Sequence, residues 1–340
     1  MRARRRGRPA RRRGDVLTPP GSDVGALLRA AAQRLAAAGV ASPRPDAEEL
    51  LATALGSTRA AVALAGLRGD AGPDEEDRRA FRELVERRAR RTPLQHLTGR
   101  AAFRGLELRV GPGVFVPRPE TEGLAGAAVD AALAVAAREG RPAVVVDLCT
   151  GSGAIALAVA AEVPDARVTA VELSEDALAW AGANVAALAA GALAGRAGGA
   201  VELVAGDAAR ALPGREGAVD VVVSNPPYIP PGAVPVDPEV RDHDPHVALF
   251  GGGDDGLAVP RAVLARAAAL LRPGGVVLVE HAEVQQPALL AALAGPAWTG
   301  AEGARDLTGR PRWVRAVRTG PRGGGSSPGA GAGACHDARS

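Results

Sequence analysis

From residue 143 onward, short apolar runs alternate with longer stretches whose apolar residues recur at helical spacing. Ala143–Leu148, Arg167–Glu172, Val219–Ser224 and the stretch near 275–280 read as buried strands. Further strands are expected near 201–204, 297–302 and 312–318. Ala154–Ala161 reads as a helix directly after the first strand. Upstream, Leu27, Leu28, Ala31, Leu35 and Ala38 repeat at helical spacing and Gly39 follows as a stop. Asp46-Ala47-Glu48-Glu49 opens a second helix, a third is expected near 58–66, and Asp74-Glu75-Glu76-Asp77 begins a fourth. That fourth helix ends in Arg87, Arg88, Arg90 and Arg91, so acids come first and bases last, which complements the helix dipole. The arginines are therefore read as dipole partners on a solvated face rather than as a nucleic-acid site. Leu106, Leu108 and Val110 alternate with Glu107 and Arg109, Gly111-Pro112-Gly113 is the expected turn, and Val114-Phe115-Val116 resumes the strand. The organisation expected is a head at 1–21, a helical domain at 22–92, a β-hairpin connector at 93–116, an α/β domain at 117–318 and a tail at 319–340.

Chemistry concentrates at two strand ends. Asn225-Pro226-Pro227-Tyr228 follows the run Val219–Ser224. Prolines lack the N–H a sheet ladder needs, so the chain leaves the sheet rigidly, at the end where open α/β folds bind ligands. The Asn225 side-chain oxygen and the Pro226 carbonyl can each accept one hydrogen of a planar NH2 group, with Tyr228 packed on its face. At the other strand end, Asp147-Leu148-Cys149-Thr150-Gly151-Ser152-Gly153 joins strand to helix through a glycine-rich turn that lets backbone approach a ligand. Glu172 closes the next strand nineteen residues past Gly153, where an acid suits the two hydroxyls of a ribose.

A glycine-rich turn alone also serves nicotinamide and flavin proteins. Here there is no third glycine, and the chain has no lysine to complete an anion cradle. S-adenosyl-L-methionine carries no phosphate and needs none. Turn, ribose acid and Asn-Pro-Pro-Tyr together point to methyl transfer onto a planar nitrogen. Taken singly, Gly151 and Gly153 are also compatible with a tight turn alone, and Glu172 with a helix N-terminal acid.

Composition trims the alternatives. Hydrophobic residues make up 47% and aromatic residues 2%, so the core is built from Ala, Val and Leu. All 41 basic residues are arginine, which reflects coding bias more than chemistry. The net charge of +3 is misleading: residues 1–15 carry eight arginines and one aspartate, and residues 16–318 are net −5. An acidic body argues against broad binding of nucleic acid. Two cysteines, Cys149 and Cys335, give no disulfide framework, and a cytoplasmic setting is expected. No membrane span is expected, because no apolar run is long and uninterrupted enough, and no signal peptide, because Asp15, Pro19, Pro20 and Asp23 follow the basic head where an apolar stretch would lie. The head reads as disordered, with a translation start at Val16 the favoured explanation of its arginines.

Further segments narrow the picture. Thr92-Pro93-Leu94-Gln95-His96-Leu97-Thr98-Gly99, Phe103, Phe115-Val116-Pro117-Arg118-Pro119-Glu120-Thr121-Glu122, the turn 147–158, Val223–Ile229 and Asp306–Arg312 together resemble the release-factor glutamine methyltransferases, the PrmC/HemK family. The resemblance covers about residues 22–318. It implies a Rossmann-like class I methyltransferase sheet, order 3-2-1-4-5-7-6 with strand 7 antiparallel. It implies methylation of the glutamine side-chain nitrogen (N5) in the Gly-Gly-Gln motif of class I peptide chain release factors by S-adenosyl-L-methionine, in a monomer with no nucleic-acid target and no membrane partner. Carried over by position, Cys149, Thr150, Gly151, Ser152 and Gly153 line the cofactor, Glu172 binds its ribose and Asp207 its adenine amino group. Asn225 touches cofactor and substrate and, with Pro226, is catalytic; Pro227 and Tyr228 complete the glutamine pocket.

Two departures stand out. Cys149 replaces a glycine common in this turn, so its position is expected to avoid a conformation that only glycine favours. Ala208 follows Asp207 where a larger residue can cover the adenine, so weaker stacking is expected. His243-Asp244-Pro245-His246 reads as a substrate-side loop, with no metal, because further ligands at a recognisable spacing are missing. Glu280-His281 either borders the pocket or caps its strand, and Arg118 and Glu120 either brace the pocket entrance or start a helix. The alternatives in other classes are an adenine-N6 methyltransferase acting on a flipped base, a nicotinamide-dependent oxidoreductase, and a non-catalytic partner of a release factor.

Overall fold

The computed structural model describes residues 23–191 and 201–320. The Arg-rich head, the Val16 start and the tail beyond Gly320 lie outside the described residues. The chain opens with four helices: α1 (Val24–Ala37), α2 (Pro43–Ala54), α3 (Arg59–Arg68) and α4 (Glu75–Ala89). Asp23, Thr58 and Asp74 cap α1, α3 and α4 by accepting the backbone N–H three residues on, at 2.6, 3.2 and 3.0 Å. Helix α2 begins at Pro43 rather than Asp46, because proline suits a first turn whose N–H has no intrahelical partner. Leu28, Leu35, Leu50, Leu51, Phe81 and Val85 form the core of this unit. No single helix among the described residues is long and apolar enough to cross a membrane.

The connector differs from its expectation. Residues 94–98 form a short helix, α5 (Leu94–Thr98), ended by Gly99 in the left-handed region at φ 72°. The hairpin follows as β1 (Arg100–Phe103) and β2 (Leu106–Arg109), paired antiparallel. It turns at Arg104-Gly105, both at positive φ, and not at Gly111-Pro112-Gly113. A two-residue loop with both central φ positive matches the twist of a tight hairpin, and the alternation on β2 alone does not say which end turns. Residues 110–116 form no strand; Val110, Val114 and Val116 are buried together with Ala177.

The remainder is a doubly wound α/β unit: α6 (Thr121–Glu139), β3 (Val144–Leu148), α7 (Ala154–Glu162), β4 (Arg167–Glu172), α8 (Glu175–Ala190), β5 (Val201–Ala205), β6 (Val219–Ser224), α9 (Pro238–His243), α10 (His246–Leu249), α11 (Ala258–Leu270), β7 (Leu271–Glu280), α12 (Gln286–Ala292), β8 (Trp298–Arg305) and β9 (Pro311–Arg318). The seven-stranded sheet runs β5-β4-β3-β6-β7-β9-β8. Counted within the sheet this is 3-2-1-4-5-7-6, and β9 pairs antiparallel with both neighbours. Successive side chains on a strand point to opposite faces. Val145, Val221 and Val223 therefore pack with α6 and α7, while Val146 and Val222 pack with α11 and α12. The order of strand addition reverses between β3 and β6, and their carboxyl ends meet at the switch point where such sheets bind ligands.

At the opposite end of β6, fully buried Asp220 accepts from Arg141 at 2.7 and 2.8 Å, from the Val144 N–H at 2.8 Å, and from Arg272. Burial raises its pKa, but these donors more than offset that and hold it at about 2, below its ordinary 3.8. A depressed folded-state pKa contributes stability that is present above the unfolded value and lost as pH falls through the folded one. Stability of the wild type should therefore fall between about pH 4 and pH 2, in part through Asp220. Asp220→Asn is expected to lose about 2 kcal/mol at neutral pH, measured by urea denaturation, because two half-exposed arginines keep water to replace the lost charge. Its stability should also fall less steeply across that acid range.

Candidate active site

A cavity of about 620 Å³ opens at the switch point, between the β3 and β6 ends. Cys149, Thr150, Gly151, Ser152, Glu172, Asp207 and Ala208 line one side. Asn225, Pro226, Pro227 and Tyr228 line the other, with Thr121, Glu280 and Arg312 around them. Its volume lies in the range that holds cofactor-sized ligands.

The turn is held from below by Asp147. This carboxyl is fully buried, accepts from the Thr150 hydroxyl at 2.5 Å and the Ala156 N–H at 3.2 Å, and is pushed up to about 7 by burial. Gly151 and Gly153 sit at φ 59° and 86°, in the left-handed region that favours glycine. Cys149 also lies there, at φ 62°, contrary to the expectation that a non-glycine residue would avoid it. Its backbone keeps the glycine-like path because the adjoining Thr150 N–H is tied to the Val171 carbonyl at 3.0 Å, and Ser224 Oγ donates to the Leu148 carbonyl at 2.6 Å. Burial, then the carboxylates of Glu172 and Asp147, push the Cys149 thiol well above its ordinary pKa, so it stays protonated.

Glu172 is 9% exposed. One carboxylate oxygen accepts from the Gly151 N–H at 2.8 Å and the other from the Leu173 and Ser174 N–H groups, both at 2.9 Å. It thus braces the turn and starts α8. A carboxylate offers about four acceptor positions, so three bonds leave one free on a residue that lines the cavity. Asp207 is exposed at the far end and accepts from the Ala209 N–H at 2.9 Å. The lining thus places an acid, Glu172, beside a turn, 149–153, that carries no cationic side chain, while Arg118 and Arg312 line other parts of the cavity.

Across the cavity, Asn225 Nδ2 donates to Thr121 Oγ1 at 3.3 Å. Its Oδ1 is left for a ligand. The Pro226 carbonyl receives no donor among the described residues. Tyr228 stays a neutral phenol, because burial and then the Glu280 charge raise its pKa. Its hydroxyl lies 3.5 Å from Glu280 Oε1. Glu280, whose position was left open by the sequence, borders the pocket, and burial pushes it up to about 7.

The rest of the chain clamps this tetrapeptide. Gln285 Nε2 holds the Tyr228 carbonyl at 2.8 Å and the Asp255 carbonyl at 2.9 Å. Ile229 and the stretch Leu249–Gly251 exchange N–H···O bonds of 2.8 and 3.0 Å. Gly251 and Gly256 press backbone against backbone at the prolines. Arg118 pairs with Asp244 Oδ2 at 2.7 Å and sits 5.0 Å over the Phe115 ring, so it ties the pocket entrance to the loop after the prolines. In that loop His246 packs edge-on against Phe250, and Asp244 is pushed up to about 6 by burial despite Arg118.

The arginines ending α4 are not all a solvated face. Arg88 is buried between Asp46 at 2.7 Å and Glu239 at 2.6 Å. Arg91 grips both oxygens of Glu239, at 2.7 and 2.5 Å. Burial acts against ionisation of Glu239, yet these donors hold its carboxyl well below the usual range. This joins the helical unit to α9, whose Val240 lines the cavity. None of Thr121, Gly251, Gln285 or Glu239 was singled out from the sequence as a member of the site. The triple glycine at 251–253 was the available signal for a close backbone approach.

Comparison with known proteins agrees in both halves. Residues 26–99 match the family described as PrmC N-terminal domain, and residues 129–236 the Methyltransferase small domain. The chain is 50% identical over 295 residues to the release factor glutamine methyltransferase of Streptomyces coelicolor, covering 86% of this chain and 96% of that one. It is 50% identical over 294 residues to the protein of the same name from Mycolicibacterium smegmatis, with the same coverage. Among solved structures it is similar to a methyltransferase from Pyrococcus furiosus, at 19% identity and TM-score 0.43, over 64% of this chain and 90% of that one.

Proposed function

The chain belongs to the release factor glutamine methyltransferase family, and from that premise we propose that it methylates the glutamine side-chain nitrogen (N5) in the Gly-Gly-Gln motif of class I peptide chain release factors. The methyl donor in this reading is S-adenosyl-L-methionine, and the setting is the cytoplasm, with the protein acting as a monomer. The observation that carries it is the Asn225 amide, with its NH2 tied to Thr121 and its oxygen unpartnered, next in sequence to a Pro226 whose carbonyl is also unpartnered among the described residues, both residues lining the cavity. Two acceptors side by side suit a planar NH2 and repel a carboxylate.

An amide nitrogen is a poor nucleophile, because its lone pair is delocalised into the carbonyl. S-adenosyl-L-methionine supplies an electrophilic methyl group on a cationic sulfur. Cys149 through Ser152 and Glu172 would hold it, with Asp207 toward the adenine; Gly153, expected to line the cofactor as well, is not among the residues lining the cavity and instead caps α7. Asn225 Oδ1 and the Pro226 carbonyl accept the two N–H bonds of the glutamine, and both interactions strengthen as positive charge builds on nitrogen. Tyr228 and Pro227 fix the amide plane, so that the nitrogen lone pair faces the methyl carbon; this positioning supplies much of the remaining acceleration. The methylated amide cation is acidic and sheds its proton without a strong base.

The test is methyl transfer from labelled S-adenosyl-L-methionine to purified release factor, to its Gln→Ala variant in the Gly-Gly-Gln motif, and to duplex DNA and ribosomal RNA. Label on the wild-type release factor alone is expected; label on nucleic acid alone would replace this reading with the adenine one.

The helical unit supports a docking role, because its contact with α9 couples it to the pocket wall. Glu239→Gln leaves Arg88 and Arg91 without their shared carboxylate, and breaking a buried pair of this kind costs about 3 kcal/mol. The expected result is a KM for release factor raised tenfold or more, with an S-adenosyl-L-methionine Kd within twofold of wild type. Steady-state kinetics and calorimetric titration check the two halves of that statement.

A further inference from the structure

We propose that Asn184 is a positioning residue for the cofactor turn: a single buried amide on α8 that fixes the Ser152 carbonyl and ties the turn to the hairpin connector. This rests on the S-adenosyl-L-methionine reading above and deepens it.

Asparagine is a poor choice for a helix interior, because its side chain competes for backbone hydrogen bonds. Between Ala177 and Ala190 the helix is otherwise built of Ala, Leu, Val, Gly and Trp. Asn184 is 2% exposed, so its polar atoms need partners inside the protein. All of those partners are backbone. Oδ1 accepts from the Arg109 N–H at 2.7 Å. Nδ2 donates to the Arg109 carbonyl and to the Ser152 carbonyl, both at 3.0 Å. The amide therefore has one orientation. Exchanging its oxygen and nitrogen would set an acceptor against two carbonyls and a donor against an N–H.

The two partners belong to different parts of the site. Arg109 ends β2, and the chain beyond it leads to Phe115, Pro117 and Arg118 in the cavity lining. Ser152 lines the cavity itself and sits between Gly151 and Gly153, both at positive φ. Glycines on either side open other backbone paths to this segment, so holding one path takes external ties. Glu172 supplies a tie on one side, by accepting from the Gly151 N–H at 2.8 Å. Asn184 supplies another, on the Ser152 carbonyl, from the helix that Glu172 starts. A turn anchored in this way meets its ligand already ordered, which lowers the cost of binding.

Trp180 separates this role from simple packing of α8 on the connector. It lies one helical turn before Asn184, donates Nε1–H to the Pro112 carbonyl at 3.1 Å, and its ring covers Gly111. It belongs to the same seam and makes no bond to the turn. Trp180→Phe therefore weakens the seam alone. Asn184→Asp keeps the side-chain shape and the acceptor for the Arg109 N–H, but sets an oxygen against the Arg109 and Ser152 carbonyls.

The experiment compares wild type, Asn184→Asp and Trp180→Phe by calorimetric titration with S-adenosyl-L-methionine, by amide hydrogen exchange of the unliganded protein, and by KM for release factor at saturating cofactor. In Asn184→Asp the cofactor Kd should rise about tenfold or more, the loss expected when buried carbonyls are left without donors. The peptide spanning Cys149–Gly153 should exchange about tenfold faster, because its local opening becomes easier. KM for release factor should stay within about twofold, since the substrate wall keeps its own hydrogen bonds. Trp180→Phe should lower the thermal midpoint while leaving cofactor Kd and turn exchange at wild-type values. If Asn184→Asp does not fold, Asn184→Ala gives the same two readings. Wild-type Kd and turn exchange in a folded Asn184 variant, or equal shifts in Trp180→Phe, overturn this inference alone. Wild-type protein without measurable affinity for S-adenosyl-L-methionine overturns the donor reading and this inference with it.

Discussion

Asn225→Ala is expected to lower kcat at least about a hundredfold, the loss seen when one preorganised polar partner of a developing charge is removed. KM should change less, because the ground-state amide is almost neutral and gains little from the lost oxygen. S-adenosyl-L-methionine should still bind, since the turn and Glu172 lie on the other cavity wall. The split separates this account from a structural one. A misfolded site would lose cofactor affinity and thermal stability together. Asn225→Asp is an instructive companion: it keeps an oxygen toward the substrate but loses the NH2 that meets Thr121. It should rank between wild type and alanine. The measurement is single-turnover methyl transfer beside calorimetric titration of the cofactor, and wild-type kcat in Asn225→Ala would refute the proposed chemistry.

The second large effect comes from a glycine. A Cβ on Gly251 would lie 1.9 Å from the Gly256 carbonyl oxygen, 2.5 Å from that of Pro227 and 2.8 Å from the Tyr228 Cα. All three are backbone atoms, so no rotamer change relieves the collision. Gly251→Ala must therefore move the proline turn or the loop that clamps it. Overpacking of this kind costs about 3 kcal/mol, and a displacement near 1 Å at reacting groups costs about a hundredfold in rate. Gly252→Ala is the control. Gly252 lies at φ 70°, yet its nearest neighbour to an added Cβ is Ala258 at 3.5 Å. It should lose about 1 kcal/mol to backbone strain and keep most of its activity. Equal losses in the two variants, by thermal unfolding and turnover, would show that the close approach does not position Asn225–Tyr228.

What the sequence revealed follows from how local each feature is. The sheet was legible because Val219–Ser224 and Arg167–Glu172 are compact apolar runs that need no partner to be recognised. Asn225–Tyr228, the turn 149–153 and Glu172 were legible because each follows a strand directly, so a strand end and a motif appear in one short string. Thr121 and Glu280 were not assembled into the site, since 159 residues separate them and only the fold puts both beside Asn225. Arg88 was read from its own helix, where dipole complementarity is a sufficient account, and its real partners are Asp46 on α2 and Glu239 on α9. The hairpin turn was misplaced because Gly-Pro-Gly is a stronger turn signal than Arg-Gly, although the register pairs Phe103 with Leu106. Cys149 shows a further limit. Its conformation is set by the hydrogen bonds of the adjoining residues, and these override the preference of its own side chain.

Locating the methyl group is the most direct test of the central claim. Release factor incubated with this protein and isotopically labelled S-adenosyl-L-methionine would be digested, and the peptide containing Gly-Gly-Gln fragmented in a mass spectrometer. One added methyl is expected on the glutamine side-chain nitrogen, absent when Asn225→Ala replaces the wild type. A methyl on any other residue, or on the glutamine with full yield from Asn225→Ala, would contradict it.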